Sequence, residues 1–189
     1  KMFKNFNISK FKKMKPPADN SFTTMQEIKH IKSIPMDVAN VKKYDDIEKT
    51  FAEVAYKNNI EDYDSDLVGN LIEQSSPIIL KLKKHFNRPR PKVIAKKMGI
   101  KMKDYEMKSM KTASYPSGHS AQGILIGRVL AAKYPKAAKQ FISAGDKISK
   151  SRNIAKAHYK SDSKMGEKLG NELYNHIKQK QNEKRSNEA

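Results

Sequence analysis

The sequence of 189 residues contains no cysteine and no tryptophan, and it has 20 acidic residues against 39 lysines and arginines. Without cysteine there is no disulfide framework, no thiolate metal site and no cysteine nucleophile. Long apolar runs are also missing, since the longest are short stretches such as GILIG at 123–127. A membrane-spanning helix needs about 18 apolar residues, so we expect none, and we find no apolar core of a signal peptide.

The net charge of +19 is the strongest bulk feature of the chain. Such a charge attracts nucleic acid, anionic membrane surfaces and phosphorylated small molecules alike, so it does not choose among these partners. The length favours one domain with a sizeable core. We predict a single helical domain over 18–180, preceded by a basic arm at 1–17 and followed by a polar tail at 181–189.

The first 15 residues carry six lysines and no acidic residue, with Phe3, Phe6 and Phe11 between them. Basic residues interleaved with aromatic ones are typical of an amphipathic segment that binds an anionic membrane surface. Terminal segments are also often loosely docked and solvated. Both interpretations of residues 1–15 remain open from the sequence.

The rest of the chain shows helical periodicity and no sustained alternation of polar and apolar residues. We predict helices over 45–58, over 67–86 with a break at Pro77, and at the C-terminus, where apolar residues are spaced four apart. The segment RPRP at 88–91 is expected to be extended, and 92–113 to be a loop with a short helical piece. The fold class is therefore all-α, with a helical bundle as its core.

Three segments carry residues suited to phosphate chemistry. Lys81 and Arg88 are separated by six residues, and Ser117-Gly118-His119 precedes a strongly apolar helix. The third segment contains Arg152, then His158, then Asp162 four residues later. Each of these residues alone is commonplace, but the three segments in this order are a specific combination.

The basic residues of these segments suit an anionic ligand. Arg88 and Arg152 offer planar guanidinium groups for bidentate contact with phosphate oxygens, and Lys81 adds a compact charge. The N–H groups at the start of the helix after Ser117 favour an anion, and Gly118 allows the backbone to come close to it.

The histidines of these segments suit acid–base and nucleophilic work. On a helical turn, Asp162 shares a face with His158 and can hold one imidazole N–H, which leaves the other nitrogen basic. His119 lies next to the expected anion site, where it could protonate a leaving oxygen.

The pattern Lys-x6-Arg-Pro, Pro-Ser-Gly-His and Ser-Arg-x5-His-x3-Asp resembles the signature of the type 2 phosphatidic acid phosphatase superfamily. This group includes bacterial class A non-specific acid phosphatases and vanadium haloperoxidases, and the resemblance covers about residues 80–165. It implies an all-α, metal-independent phosphatase without a cofactor, in which His158 forms a phosphohistidine, Asp162 orients it and His119 protonates the departing alcohol. It also implies that the phosphoryl oxygens are surrounded by Lys81, Arg88, Ser117, Gly118, His119 and Arg152.

The leading hypothesis is a soluble phosphomonoesterase acting on a small phosphorylated substrate, periplasmic by resemblance or else cytoplasmic. The alternatives are a peripheral lipid phosphate or diphosphate phosphatase held at an anionic membrane by residues 1–15, a vanadate-dependent haloperoxidase, and a polyanion-binding module. We expect no specific nucleic-acid partner, because the charge is mostly lysine and no recognition motif is present. A homo-oligomer is compatible with the sequence.

Overall fold

The computed structural model describes residues 1–189 and contains α-helices and two short 3₁₀ turns, without any β-strand. This confirms the all-α prediction. The 3₁₀ turns are Lys108–Lys111 and Pro135–Ala137. The helices are α1 (Ile8–Lys12), α2 (Phe22–Ser33), α3 (Val38–Asp45), α4 (Ile47–Lys57), α5 (Ser65–Phe86), α6 (Pro91–Lys97), α7 (Gly118–Lys133), α8 (Ala138–Ile154) and α9 (Lys160–Glu188).

Side-chain caps explain where several of these helices begin. The Ser21 hydroxyl accepts a hydrogen bond from the Thr24 N–H at the start of α2. Asp46 caps α4 in the same way and divides the predicted helix 45–58 from α3. These caps satisfy N–H groups that a helix N-terminus leaves without a partner.

The predicted break at Pro77 is wrong, because α5 runs through this residue without interruption. Pro77 is exposed, whereas Ser75, Ile78 and Ile79 around it are buried. The hydrogen bond that proline removes therefore lies on the solvent side, and packing on the other side holds both halves in one helix. The helix ends at Asn87, which adopts a left-handed conformation with φ 48°.

Helix α7 lies between α8 and α9, and glycines allow both contacts to be close. A Cβ atom on Gly145 of α8 would stand 2.3 Å from the carbonyl oxygen of Gly123, and one on Gly166 of α9 would stand 2.4 Å from that of Ser117. Only residues without a side chain permit backbones to approach this closely. The contact at Gly166 fixes the start of α7 against the start of α9, where the candidate site lies.

The aromatic residues of the N-terminal arm pack into the main core. Phe11 is 1% exposed and Phe3 is 7% exposed, and the hydroxyl of Tyr115 donates to the carbonyl oxygen of Met14 at 2.6 Å. The arm therefore does not present Phe3 and Phe11 to a membrane, whereas Phe6 is half-buried. The peripheral membrane contact through residues 1–15 stays a prediction. At the other end, the predicted tail at 181–189 continues α9 as an exposed helix.

None of these helices combines the length and the apolar character that crossing a bilayer requires.

Candidate active site

A small cavity of about 160 Å³ lies where the C-terminal half of α5, the start of α7 and the end of α8 meet. The 3₁₀ turn at Lys108–Lys111 and the loop before α9 close it from two further sides. Four of its lining side chains are cationic or imidazole groups, namely those of Lys83, His119, Arg152 and His158. The lining residues are Ser76, Ile79, Leu80, Lys83, Ser109, Thr112, Gly118, His119, Gln122, Arg152 and His158.

His158 is held in one orientation by both of its ring nitrogens. Its Nδ1 lies 3.0 Å from Oδ2 of Asp162, and its Nε2 lies 3.0 Å from Nη1 of Arg90. Arginine only donates hydrogen bonds, so Nε2 must be the unprotonated acceptor, and Nδ1–H donates to the carboxylate. The structure therefore brings His158 and Asp162 together as the sequence predicted, with the basic nitrogen turned toward the cations.

The protonation of His158 follows from its surroundings. The side chain is 2% exposed, and burial, together with the charges of Arg90 and Lys83, holds the pKa of His158 well below its usual range. Loss of water and nearby cations both disfavour the imidazolium form. The ring is thus neutral at ordinary pH, which is the form a nucleophile or general base requires.

Asp162 is completely buried and accepts several hydrogen bonds. Its Oδ1 accepts from Nη1 of Arg88 at 2.7 Å, and its Oδ2 accepts from the Ser114 hydroxyl and from the Tyr159 N–H at 3.1 Å. Burial raises the pKa of Asp162 to about 6, and the charge of Arg88 opposes that rise. The carboxylate is thereby fixed at the start of α9, facing His158.

The structure corrects the register of the first motif. The sequence fits Lys-x6-Arg-Pro twice, with Lys81, Arg88 and Pro89 or two residues later with Lys83, Arg90 and Pro91. Lys81 is exposed and does not line the cavity, whereas Lys83 is 6% exposed and does. Successive helical residues are separated by about 100°, so positions two apart point in different directions. Lys83 belongs to the buried face of α5, and Lys81 does not.

Lys83 and Arg90 are fixed by the loop that precedes α7. Nζ of Lys83 donates to the Thr112 hydroxyl at 3.0 Å and to the Ala113 carbonyl at 3.1 Å. Nε of Arg90 donates to the Thr112 carbonyl at 2.9 Å, and its Nη2 donates to the Ser109 carbonyl at 3.0 Å. Burial, then the charge of Arg90, lowers the pKa of Lys83 to about 7. An anion in the cavity would offset that desolvation.

Arg88 lies outside the cavity, behind Asp162. Its guanidinium stacks 3.7 Å from the ring centre of Tyr159, and its Nη2 is 3.7 Å from a carboxylate oxygen of Glu27. Its Nε and Nη2 make no hydrogen bond within the protein. Arg88 contacts the carboxylate that holds His158, and it does not line the cavity.

Arg152 lines the cavity, as the sequence predicted. Its side chain is fully buried, with Nη1 donating to Oδ1 of Asp45 at 3.1 Å and Nη2 donating to the Ser109 hydroxyl at 2.8 Å. Its Nε has no hydrogen-bond partner within the protein. A buried guanidinium with an unused donor in a cationic cavity is the arrangement that an anionic ligand would complete.

The start of α7 forms another wall of the cavity. Gly118 and His119 line it, whereas the Ser117 hydroxyl caps the helix by accepting from the Ser120 N–H at 3.2 Å. A Cβ atom on Gly118 would meet Ile79 at 3.4 Å and the Lys83 side chain at 3.8 Å, so a larger residue would narrow the cavity. Ser117 itself is fully buried beside this wall.

His119 is bound on its outer side by α3. Its Nε2 lies 2.8 Å from the carbonyl oxygen of Asp45, so Nε2–H donates and Nδ1 is the free acceptor in the neutral ring. Burial, then the charge of Arg152, lowers the pKa of His119 to about 3. A proton-donating role therefore requires a bound anion that raises this pKa.

Lys83, Arg90 and Asp45 are the site residues that the sequence interpretation missed. For the first two, the signal was present as the second fit to the motif. Nothing in the sequence marks Asp45, which reaches the site only because α3 packs against α8.

The site and the fold define a class: a helical protein with a buried cationic cavity that suits a phosphoryl group, next to a neutral histidine held by a carboxylate. The chain belongs to the PAP2 superfamily, whose family model matches residues 68–171.

Two curated relatives are non-specific acid phosphatases. The one from Salmonella typhimurium is 36% identical over 88 residues, or 47% of this chain and 35% of the relative. The one from Salmonella typhi is 35% identical over the same length. The aligned region thus spans about a third of the length of these relatives.

Proposed function

We propose that this protein hydrolyses phosphate monoesters through a phosphohistidine on His158. The observation that carries the proposal is the orientation of this ring, with Nδ1–H on Asp162 and the basic Nε2 turned toward the cations of the cavity. The family assignment and the non-specific acid phosphatase relatives support the same reaction class. The substrate is a small phosphorylated molecule.

Four groups in or next to the cavity are suited to hold the transferring phosphoryl group. Lys83 and Arg152 line the cavity with positive charge, Arg90 carries its charge beside them on His158 Nε2, and Gly118 contributes the start of α7. Charge spread over the equatorial oxygens of the transition state is stabilised by donors of this kind. In this assignment Lys83 and Arg90 take the roles that the motif assigned to Lys81 and Arg88.

The first step is attack of His158 Nε2 on phosphorus. Arg90 must release the Nε2 lone pair, and its Nη1 then becomes a donor to a phosphoryl oxygen. As the P–N bond forms, the bond to the ester oxygen breaks, and His119 supplies a proton to the leaving alkoxide. The arriving phosphoryl charge raises the pKa of His119 above its resting value of about 3, which favours the protonated ring that this step needs.

The second step is attack of water on the phosphohistidine. His119, now neutral, accepts a proton from the water, the P–N bond breaks, and inorganic phosphate leaves. The hydrogen bond from Nδ1–H to Asp162 keeps the ring in position throughout both steps.

The experiment is release of phosphate from p-nitrophenyl phosphate with EDTA present, for the wild type, His158→Ala and His85→Ala. His85 is exposed and does not line the cavity, so His85→Ala is the matched control. We expect turnover without added metal, inhibition by vanadate, full activity in the control and loss of activity in His158→Ala. Turnover that survives His158→Ala, or that EDTA abolishes, would contradict the mechanism.

A further inference from the structure

Asp45 is a carboxylate that contacts the cationic cavity from outside. It is the last residue of α3, and its Oδ1 accepts from Nη1 of Arg152 at 3.1 Å. The same Oδ1 lies 3.6 Å from Nε2 of His119. Its side chain is 43% exposed, while that of Arg152 is fully buried. The pair thus joins a cavity guanidinium to a carboxylate that stays in contact with water.

An anion in the cavity and Asp45 share the same guanidinium. Nη1 and Nη2 of Arg152 donate to Asp45 and Ser109, and the guanidinium also lines the cavity. A phosphate that contacts Arg152 in the cavity would therefore share its positive charge with the Asp45 carboxylate. Two negative charges around one guanidinium repel each other, and each weakens the attraction of the other to the cation.

The carbonyl oxygen of Asp45 has a separate task. It accepts from His119 Nε2 at 2.8 Å through the main chain. Replacing the side chain by its amide removes the carboxylate charge and leaves that carbonyl in place. The two contacts can therefore be tested apart.

We propose that Asp45 is a positioning residue that acts as an internal counter-anion to Arg152 and keeps the affinity for inorganic phosphate low. The proposal rests on the proposed function, because it gives product release a physical cause. Once the phosphohistidine is hydrolysed, the phosphate in the cavity faces a carboxylate that competes for Arg152. The product leaves, and Asp45 remains as the only anion on Arg152.

The test is the affinity of inorganic phosphate, measured by isothermal titration calorimetry on the full chain, for the wild type, Asp45→Asn and Glu48→Gln. Glu48 is an exposed carboxylate on the neighbouring helix, so the control removes the same net charge outside the site. We expect Asp45→Asn to lower the dissociation constant by roughly five- to tenfold. Glu48→Gln should change it less than twofold, and Asp45→Glu should return it toward the wild-type value.

Tighter phosphate binding is a result that general damage to the site would not produce. Unchanged or weaker binding by folded Asp45→Asn overturns the proposal. If that variant does not fold, Asp45→Ser is measured in its place with the same two outcomes. Phosphate release by the wild type is assayed in parallel: absence of turnover refutes the proposed function, whereas turnover with no gain in phosphate affinity refutes only the role of Asp45.

Discussion

Replacing Lys83 by methionine should lower activity by about 10²- to 10³-fold, whereas the same change at Lys81 should have little effect. The two lysines are two residues apart on α5, but only Lys83 is buried and lines the cavity. Methionine keeps much of the length of the side chain and removes the charge. The pair of variants therefore asks which register of the Lys-x6-Arg-Pro motif is the functional one.

The expected loss follows from the position of the Lys83 ammonium. Its Nζ is held by Thr112 and Ala113 at the cavity wall, so it is preorganised for the charge that develops on the phosphoryl oxygens. Removing one such donor costs about 10²- to 10³-fold in rate, or about 3–4 kcal/mol. For the exposed Lys81, a change of less than about twofold is expected.

The stability of Lys83→Met should rise although its activity falls. Burial lowers the pKa of Lys83 to about 7, below its value in the unfolded chain, so the folded state disfavours the charged form. The free-energy cost of holding Lys83 in its charged form begins to appear as pH falls through the pKa of this lysine in the unfolded chain. It is complete below the pKa of Lys83 in the folded protein. At pH 6 we expect the free energy of unfolding of Lys83→Met to be about 1–3 kcal/mol higher than that of the wild type, after the lost hydrogen bonds are counted. This corresponds to a rise of roughly 3–9 °C in melting temperature.

The assay combines kcat/KM for p-nitrophenyl phosphate with thermal melting at pH 6 and pH 9. A folded, more stable and inactive Lys83→Met beside an active Lys81→Met would confirm the shifted register. Loss of activity in Lys81→Met, with activity retained in Lys83→Met, would refute it.

Two further changes probe how the site is supported. Arg88→Met should move the acid limb of the pH–rate profile upward by about one unit or more, because Arg88 opposes the rise in the pKa of Asp162; an unchanged limb would show that Arg88 does not act through this carboxylate. Gly166→Ala should cost about 1–3 kcal/mol in denaturant unfolding and reduce activity, because its Cβ would press on the Ser117 carbonyl. Gly69→Ala is the control, since a Cβ atom there meets only Glu48 at 4.0 Å. This variant should be more stable to denaturant by up to about 1 kcal/mol, because alanine has a higher helix propensity than glycine.

Much of the fold could be predicted because helical periodicity and caps are local. The apolar spacing of α9 gave a correct helix. The segment RPRP is extended as predicted up to Arg90, whereas Pro91 already begins α6. The break predicted at Pro77 was wrong because the sequence does not show which face of α5 packs on the core. Only the tertiary structure shows that Pro77 lies on the exposed face. The burial of Phe3 and Phe11 in residues 1–15 could not be predicted for the same reason, since only the fold shows that they are covered.

The candidate site was predictable where spacing determines geometry. His158 and Asp162 are four residues apart, and the structure brings them into contact. The first motif was ambiguous because two fits overlap, and burial along α5 is what separates them. Asp45 could not be predicted at all, because its contact with Arg152 joins residues that are 107 positions apart in the chain.

Mass spectrometric mapping of the phosphoryl group during turnover, after an alkaline quench that preserves phosphohistidine, tests the nucleophilic role of His158 most directly. We predict the adduct on the peptide that contains His158, and its absence in His158→Ala. A phosphoryl group on another side chain of the wild type, or release of phosphate with inversion of configuration at phosphorus, would contradict the account.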